Sequence, residues 1–282
     1  MLVFKSVSAL QNHINKLISE RKIIGFVPTM GALHAGHLSL VEKSLLENDC
    51  TIVSVFVNPT QFNNSNDLNT YPSNIIRDKK LLQSLDNEIV LFHPNSKEIY
   101  SGELKSDHFD FDNLDQHMEG KYREGHFQGV ATVVNKLLMI VKSDKIYFGE
   151  KDFQQLRIIE NLVVAKKFNT KVIRCNTIRQ DDGLALSSRN NKLDISSKKT
   201  AKYLFKALSF AKENFDTLDI TNIEEKVNRL LAKFPQIKLD YFVIADERHL
   251  QPTLKRDKKK KYRAFIAADI SGIRLIDNIK LY

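Results

Sequence analysis

Cysteine is scarce in this chain of 282 residues, which holds only Cys50 and Cys175, far apart and in no C-x-x-C spacing. That excludes a disulfide framework and a cysteine-built zinc site, and it fits a reducing, cytoplasmic setting. Glycine and proline are also few, 10 and 6, which excludes collagen-like or low-complexity sequence and favours long helices and strands. Long apolar runs are missing as well: Leu137 to Val141 is among the longest, far short of the ~18 residues that mark a membrane span. No apolar stretch precedes Gln11, Asn12 and His13, so no secretion signal is expected. What is present is 42% hydrophobic residues, enough to bury a core in one large or two medium domains of about 150 residues each.

The formal charge of +9, from 43 Lys and Arg against 34 Asp and Glu, raises nucleic acid or a membrane surface as a partner. Its distribution argues otherwise. From Lys255 to Arg263 seven basic residues stand against one acid, so a single stretch supplies most of the excess. We read that stretch as a solvated turn between two strands, and expect neither a nucleic-acid nor a membrane partner.

Val7, Leu10, Ile14, Leu17 and Ile18 recur at helical spacing, and the apolar run Ile23 to Val27 stops at Pro28. Alternation continues with a helix from about Gly36 to Asn48, a strand Thr51 to Val57, a helix Ile75 to Leu85 and a strand Glu88 to Phe92. Then come a helix Val130 to Val141, a strand Lys145 to Phe148, a helix Phe153 to Phe168 and a strand Lys171 to Ile178. Nearly continuous runs such as Ile52 to Val57 suit strands covered on both faces, hence a Rossmann-like, doubly wound parallel α/β sheet with ligands at the strands' carboxyl ends. After Ile178 the rhythm changes to a polar loop, helices near Ser197 to Phe215 and Ile223 to Phe234, and strands Leu239 to Ala245, Tyr262 to Asp269 and Ile273 to Asp277. We therefore expect one domain over residues 1–177 and a smaller α+β domain over 178–282.

Four segments fall at expected strand ends. Pro28 to His37 reads P-T-M-G-A-L-H-A-G-H ahead of a helix. His34, Gly36 and His37 at a helix N-terminus combine free backbone N–H groups, the positive end of the dipole and two imidazoles, an anion site suited to polyphosphate. Chance would produce H-x-G-H roughly 0.01 times in a chain of this composition. Asn58 and Gln61 follow the second strand and offer amides that donate to and accept from a hydroxy acid. Lys151 stands just ahead of a helix, where the dipole disfavours a cation, as if set there for an anion. In the polar loop, Ser187, Ser188 and Arg189 can close over phosphates and stabilise a leaving group. The four segments hold no cysteine nucleophile, carboxylate dyad or metal-ligand cluster, a set that suits nucleotidyl transfer.

The segments FVPTMGALHAGHLSLV (Phe26 to Val41), SVFVNPTQF (Ser54 to Phe62), Tyr71-Pro72, GHFQGVATVVNKL (Gly125 to Leu137), FGEKDFQQL (Phe148 to Leu156) and DGLALSSRN (Asp182 to Asn190) span the whole chain. In combination, order and spacing they resemble the pantoate–β-alanine ligase family, the bacterial pantothenate synthetases. The resemblance implies a Rossmann-like ATP domain, a C-terminal domain acting as a lid, and a homodimer. It implies two half-reactions: pantoate attacks the α-phosphate of ATP, used with Mg2+, to give pantoyl adenylate and pyrophosphate, and β-alanine then attacks the acyl carbon to give pantothenate and AMP. Met30, Gly31, Ala32, Leu33, His34, Ala35, Gly36 and His37 would line the ATP site, with both histidines on the phosphates and His37 the general acid. Gln61 and Gln155 would hold pantoate, Gln61 also lying near β-alanine, and we group Asn58 with them. Gly149, Glu150, Lys151, Asp152 and Ile178 would contact the nucleoside, Lys151 reaching the phosphates too. Leu186, Ser187, Ser188 and Arg189 would correspond to a KMSKS-like loop.

Two positions depart from the family. Glu124 stands where R-P-G-H-F has proline, and Arg77-Asp78 stands where paired acids are frequent, so no protein ligand to Mg2+ is assigned and phosphates and water would hold it. Another H-x-G-H adenylyltransferase, acting on a phosphate acceptor, would call for Arg or Lys in place of Gln61 and Gln155. An RNA-binding relative of a synthetase would use the Lys255 to Arg263 stretch in a salt-dependent way.

Overall fold

The computed structural model describes residues 1–63, 65–100 and 102–282. They form two compact units, one of Met1–Asp112, Arg123–Glu150 and Gln155–Asn176, the other of Asn113–Tyr122, Lys151–Gln154 and Thr177–Tyr282.

In the first unit six strands, β1 (Leu2–Phe4), β2 (Ile24–Thr29), β3 (Cys50–Val55), β4 (Val90–Phe92), β5 (Lys145–Gly149) and β6 (Lys171–Cys175), make one parallel sheet. Between them run α1 (Val7–Ser19), α2 (Ala35–Glu47), α3 (Ser65–Asn69), α4 (Ile75–Leu85), α5 (Ser96–Ile99), α6 (Glu119–Tyr122, in the second unit), α7 (His126–Val141) and α8 (Phe153–Ala165). Strand order is β1-β4-β3-β2-β5-β6. The chain thus winds outward from β2 to β3 and β4, then returns to the other side of β2 with β5. That reversal between β2 and β5 is the switch point at which open α/β sheets bind ligands.

The central strands are buried on both faces, as their Val/Ile runs require. Val27, Val53, Val55, Leu91 and Tyr147 pack with Leu40 and Val41 of α2 and Leu82 of α4, while α7 packs against β2 and α1. β2 runs on through Pro28, where a stop was expected: pairing with β5 ends at Phe26 but pairing with β3 continues to Thr29, so a residue without an N–H is tolerated. β6 ends at Cys175 rather than Ile178, and α7 begins at His126 rather than Val130.

The second unit is an antiparallel sheet of β7 (Ile237–Asp246), β8 (Tyr262–Ile270) and β9 (Ile273–Lys280) under α9 (Ile195–Asn214) and α10 (Ile220–Leu231). Period-two alternation sorts β8: Ala264, Ile266, Ala268 and Ile270 join the core with both helices. Arg263 and Phe265 take the other face and lie on Phe153, at 3.9 Å from the guanidinium and 6.1 Å between ring centroids. The expected solvated run is therefore corrected at one end. Lys258 to Lys261 are exposed, whereas Arg263 is buried and paired with Glu247 at 2.9 Å. Among the described residues no helix is long and apolar enough to cross a membrane.

Candidate active site

At the carboxyl end of β2 the chain turns through Gly31 (φ 84°) and Ala32 (φ 48°). Glycine takes that conformation freely, but the left-handed Ala32 is costly unless held, and the buried Asp78 of α4 holds the turn by accepting from Ala32 N (3.0 Å) and Leu33 N (2.8 Å). His34 then caps α2, its Nδ1 accepting from Gly36 N at 3.1 Å. Because Nδ1 is the acceptor, the neutral ring carries its proton on Nε2 and presents it as a donor. The His37 ring lies 4.0 Å from that of His34, centroid to centroid, so both imidazoles stand at the first turn of α2, where the helix dipole favours an anion.

Beyond β3, a 3-10 turn at Pro59–Gln61 presents Gln61. Its side-chain Nε2 contacts Met30 Sδ at 3.0 Å and its backbone carbonyl accepts from His126 Nδ1 at 2.8 Å. Gly129 of α7 allows the approach: a Cβ there would fall 2.3 Å from Thr60 O and 2.6 Å from Gln61 Cα. Asn58, grouped above with the substrate-binding residues, is buried with its amide engaged inside the protein: Nδ2 donates to Gln61 Oε1 and Gly129 O, and Oδ1 accepts from Tyr100 and Thr60. Burial raises the Tyr100 phenol above its ordinary pKa, which keeps it a donor. Where the family has proline, the carbonyl of Glu124 accepts from Asn63 Nδ2, and Arg123 reaches His126 Nε2 at 3.0 Å. Gly149 ends β5 and Glu150 follows it, and Gln155 is half-buried on α8.

The second unit holds the other candidates. Lys151 and Asp152 lie in a 3-10 turn, Nζ to Oδ1 3.6 Å, and the Lys151 carbonyl accepts from Asn278 Nδ2 at 2.8 Å. The neighbouring Gln154 spends its amide on segment 113–122, accepting from Glu119 N and donating to Leu114 O and His117 O. Ile178 is partly exposed in the loop, and Leu186 N returns to Ile178 O at 3.0 Å. Ser187 caps the short turn Ser188–Lys192 by accepting from Arg189 N at 3.2 Å. The loop is anchored by Arg179, which donates to Asp277 at 2.5 and 2.9 Å and to Gly183 O, and lies 4.3 Å over the Phe205 ring. Burial pushes the Asp277 carboxyl up, against the opposing pull of Arg179.

A family model described as pantoate-β-alanine ligase matches residues 2–280. The chain belongs to that family. It is 44% identical over 281 residues to the pantothenate synthetase of Flavobacterium psychrophilum, covering 100% of both chains. It is 45% identical to that of Christiangramia forsetii, covering 100% of this chain and 99% of the relative. The crystal structure of pantothenate synthetase from Thermus thermophilus superposes with a TM-score of 0.92 at 36% identity over 100% of both chains. The pantoate-β-alanine ligase of Francisella tularensis, complexed with β-γ ATP and β-alanine, gives 0.82 at 41% identity, covering 100% of this chain and 98% of that one. Within this ligase fold, sequence reasoning passed over Asp78, Tyr100, His126, Asp277 and Asn278 as supports. Only His126 and Asp78 carried a local signal, lying inside or beside segments already singled out.

Proposed function

We propose that the chain joins pantoate to β-alanine with ATP, giving pantothenate, AMP and pyrophosphate through pantoyl adenylate. The observation that carries this reading is the contact of Gln61 with Met30: the amide that would hold the acid touches the loop that would hold ATP, at neighbouring strand ends of one sheet. In the first step a pantoate carboxylate oxygen attacks the α-phosphorus, and the bond to the α–β bridging oxygen breaks to release pyrophosphate. His34 and His37 stabilise the charge gathering on the phosphates, and His37 supplies a proton to the leaving pyrophosphate. The family resemblance supports phosphate-binding roles for Lys151, Ser187, Ser188 and Arg189 as well. In the second step the β-alanine nitrogen attacks the acyl carbon, AMP leaves with the bonding electrons, and the amine proton passes to solvent.

Gln61 and Gln155 suit the acid because a carboxylate desolvated beside ATP needs donors without further negative charge. Mg2+ bound to ATP would supply positive charge to the phosphates, and phosphates and water would hold it. Asp78, the acid beside the ATP loop, already accepts two backbone N–H groups. The β-γ ATP and β-alanine of the Francisella tularensis relative support the same substrates here. The family resemblance supports a homodimer, and two free cysteines support a reducing, cytoplasmic setting. Pyrophosphate exchange into ATP tests the mechanism. It should require pantoate and Mg2+ but not β-alanine, and exchange that needs β-alanine would overturn the two-step order.

A further inference from the structure

A glutamine amide can be held either way round, and the two orientations recognise opposite partners: NH2 outward selects an oxygen acceptor, carbonyl outward selects a donor. We propose that Tyr100 and Asn58 are positioning residues that fix the polarity of the Gln61 amide, so that its NH2 faces the substrate and its carbonyl does not. The proposal rests on the proposed function, in which Gln61 holds the acid.

The orientation follows from groups that cannot reverse. The Gly129 carbonyl can only accept, and it lies 3.1 Å from Asn58 Nδ2. Turning Asn58 over would set its oxygen against that carbonyl and its NH2 against the hydroxyls of Tyr100 and Thr60. Tyr100 gives its single proton to Asn58 Oδ1 at 2.6 Å, and Thr60 Oγ1 lies 3.1 Å from the same oxygen. With both ends assigned, the second Nδ2 proton of Asn58 points at Gln61 Oε1 at 3.1 Å. Gln61 then has its carbonyl satisfied inside the protein and its NH2 beside the Met30 thioether, a weak acceptor at 3.0 Å. A substrate oxygen is the better partner for that NH2. Asn58 is 1% exposed and its four hydrogen-bonding positions are all taken, so it acts through Gln61 and not on pantoate.

The experiment compares Tyr100→Phe, Asn58→Asp, Gln61→Ala and the double variant Tyr100→Phe/Gln61→Ala. Each is assayed by pantoate-dependent pyrophosphate exchange and by competitive inhibition with the primary amide of pantoate. In wild type, exchange that does not depend on pantoate would overturn the functional reading before any variant is compared. Given that dependence, Tyr100→Phe should raise the KM for pantoate roughly three- to tenfold, as expected for one lost hydrogen bond, with the KM for ATP unchanged. In the Gln61→Ala background the same change should have no further effect on pantoate; additive losses would overturn the proposal. Asn58→Asp offers Gln61 an acceptor, so the amide reverses. Pantoate should weaken at least tenfold more than its primary amide does, whereas equal weakening of both would mean a merely structural role. Should Asn58→Asp fail to fold, the Tyr100 and Gln61 cycle decides alone.

Discussion

In the parallel unit the supports of the candidate residues are mostly neutral and short. Asn58 is fixed by hydroxyls and a carbonyl, Gln61 by an imidazole and a glycine contact, His34 by a backbone N–H, and the one carboxylate, Asp78, faces two backbone amides. In the antiparallel unit arginine–carboxylate pairs join neutral bonds such as Asn278 to the Lys151 carbonyl in that task. Arg179 meets Asp277, Arg263 meets Glu247 and Asn278, and Arg274 clasps Glu119 at 2.6 and 2.8 Å and Asp240 at 2.7 Å. The reason lies in what each sheet supplies. Strands buried on both faces bring their ends to fixed points, so a few neutral bonds suffice to aim a side chain. The three-stranded sheet holds the segments 113–122 and 177–190 in part through charge, with Arg274 on Glu119 and Arg179 on Asp277. Removing one member of a buried ion pair strands the other, a heavier loss than that of a neutral bond.

The comparison breaks first at Asp277. Asp277→Ala leaves the Arg179 guanidinium without its carboxylate and should lower stability by about 3–5 kcal/mol in denaturant titration; a loss under about 1 kcal/mol would put that pair on the same footing as the neutral network. Next comes one residue from each unit. His37→Ala and Lys151→Ala should each slow adenylate formation ~10²- to 10³-fold in single turnover. Synthetic pantoyl adenylate should still be converted by β-alanine within about tenfold of wild type, because the β- and γ-phosphates have then gone. Equal losses in both steps would refute that division. A smaller effect is expected at Asp78, where the isosteric Asp78→Asn keeps only one acceptor oxygen for two N–H groups. It should cost about 1–3 kcal/mol and raise the KM for ATP while leaving that for pantoate; a rise confined to pantoate would contradict the role of Asp78 in the ATP loop. The smallest effect is at Lys258 to Lys261. Replacing all four by Ser should leave turnover nearly unchanged, and a tenfold loss, about 1.4 kcal/mol in the barrier, would reveal an unseen contact.

The alternation of strands and helices was legible because the central strands are nearly continuous apolar runs and most helices keep an apolar period. So was the loop of His34 and His37, whose parts are contiguous. What could not be read is what arrives from a distance. Asn58 meets Tyr100 42 residues on and Gly129 71 residues on, and nothing in N-P-T-Q distinguishes an amide that supports from one that binds. Arg263 belonged by charge to the lysine run, yet strand pairing begins at Tyr262 and alternation turns the next side chain inward. α7 begins before its apolar period does, because His126 and Gln128 interrupt that period and both are occupied: His126 with Gln61 and Gln128 with the backbone of Phe109. β1 has only three residues, too few to show a period.

The strand order has a consequence for how the chain is made. The middle of the sheet joins β2 to β5, and Ile24 N donates to Asp144 Oδ2 across 120 residues of sequence. On a ribosome moving at 5–20 residues per second, that partner emerges roughly 6–24 s after β2 has left the tunnel. Through that interval one edge of an apolar central strand is bare, with β3 and β4 already able to close on its other side. The arrangement that sets the switch point between β2 and β5 also makes the nascent first half of the chain the stage most in need of a chaperone.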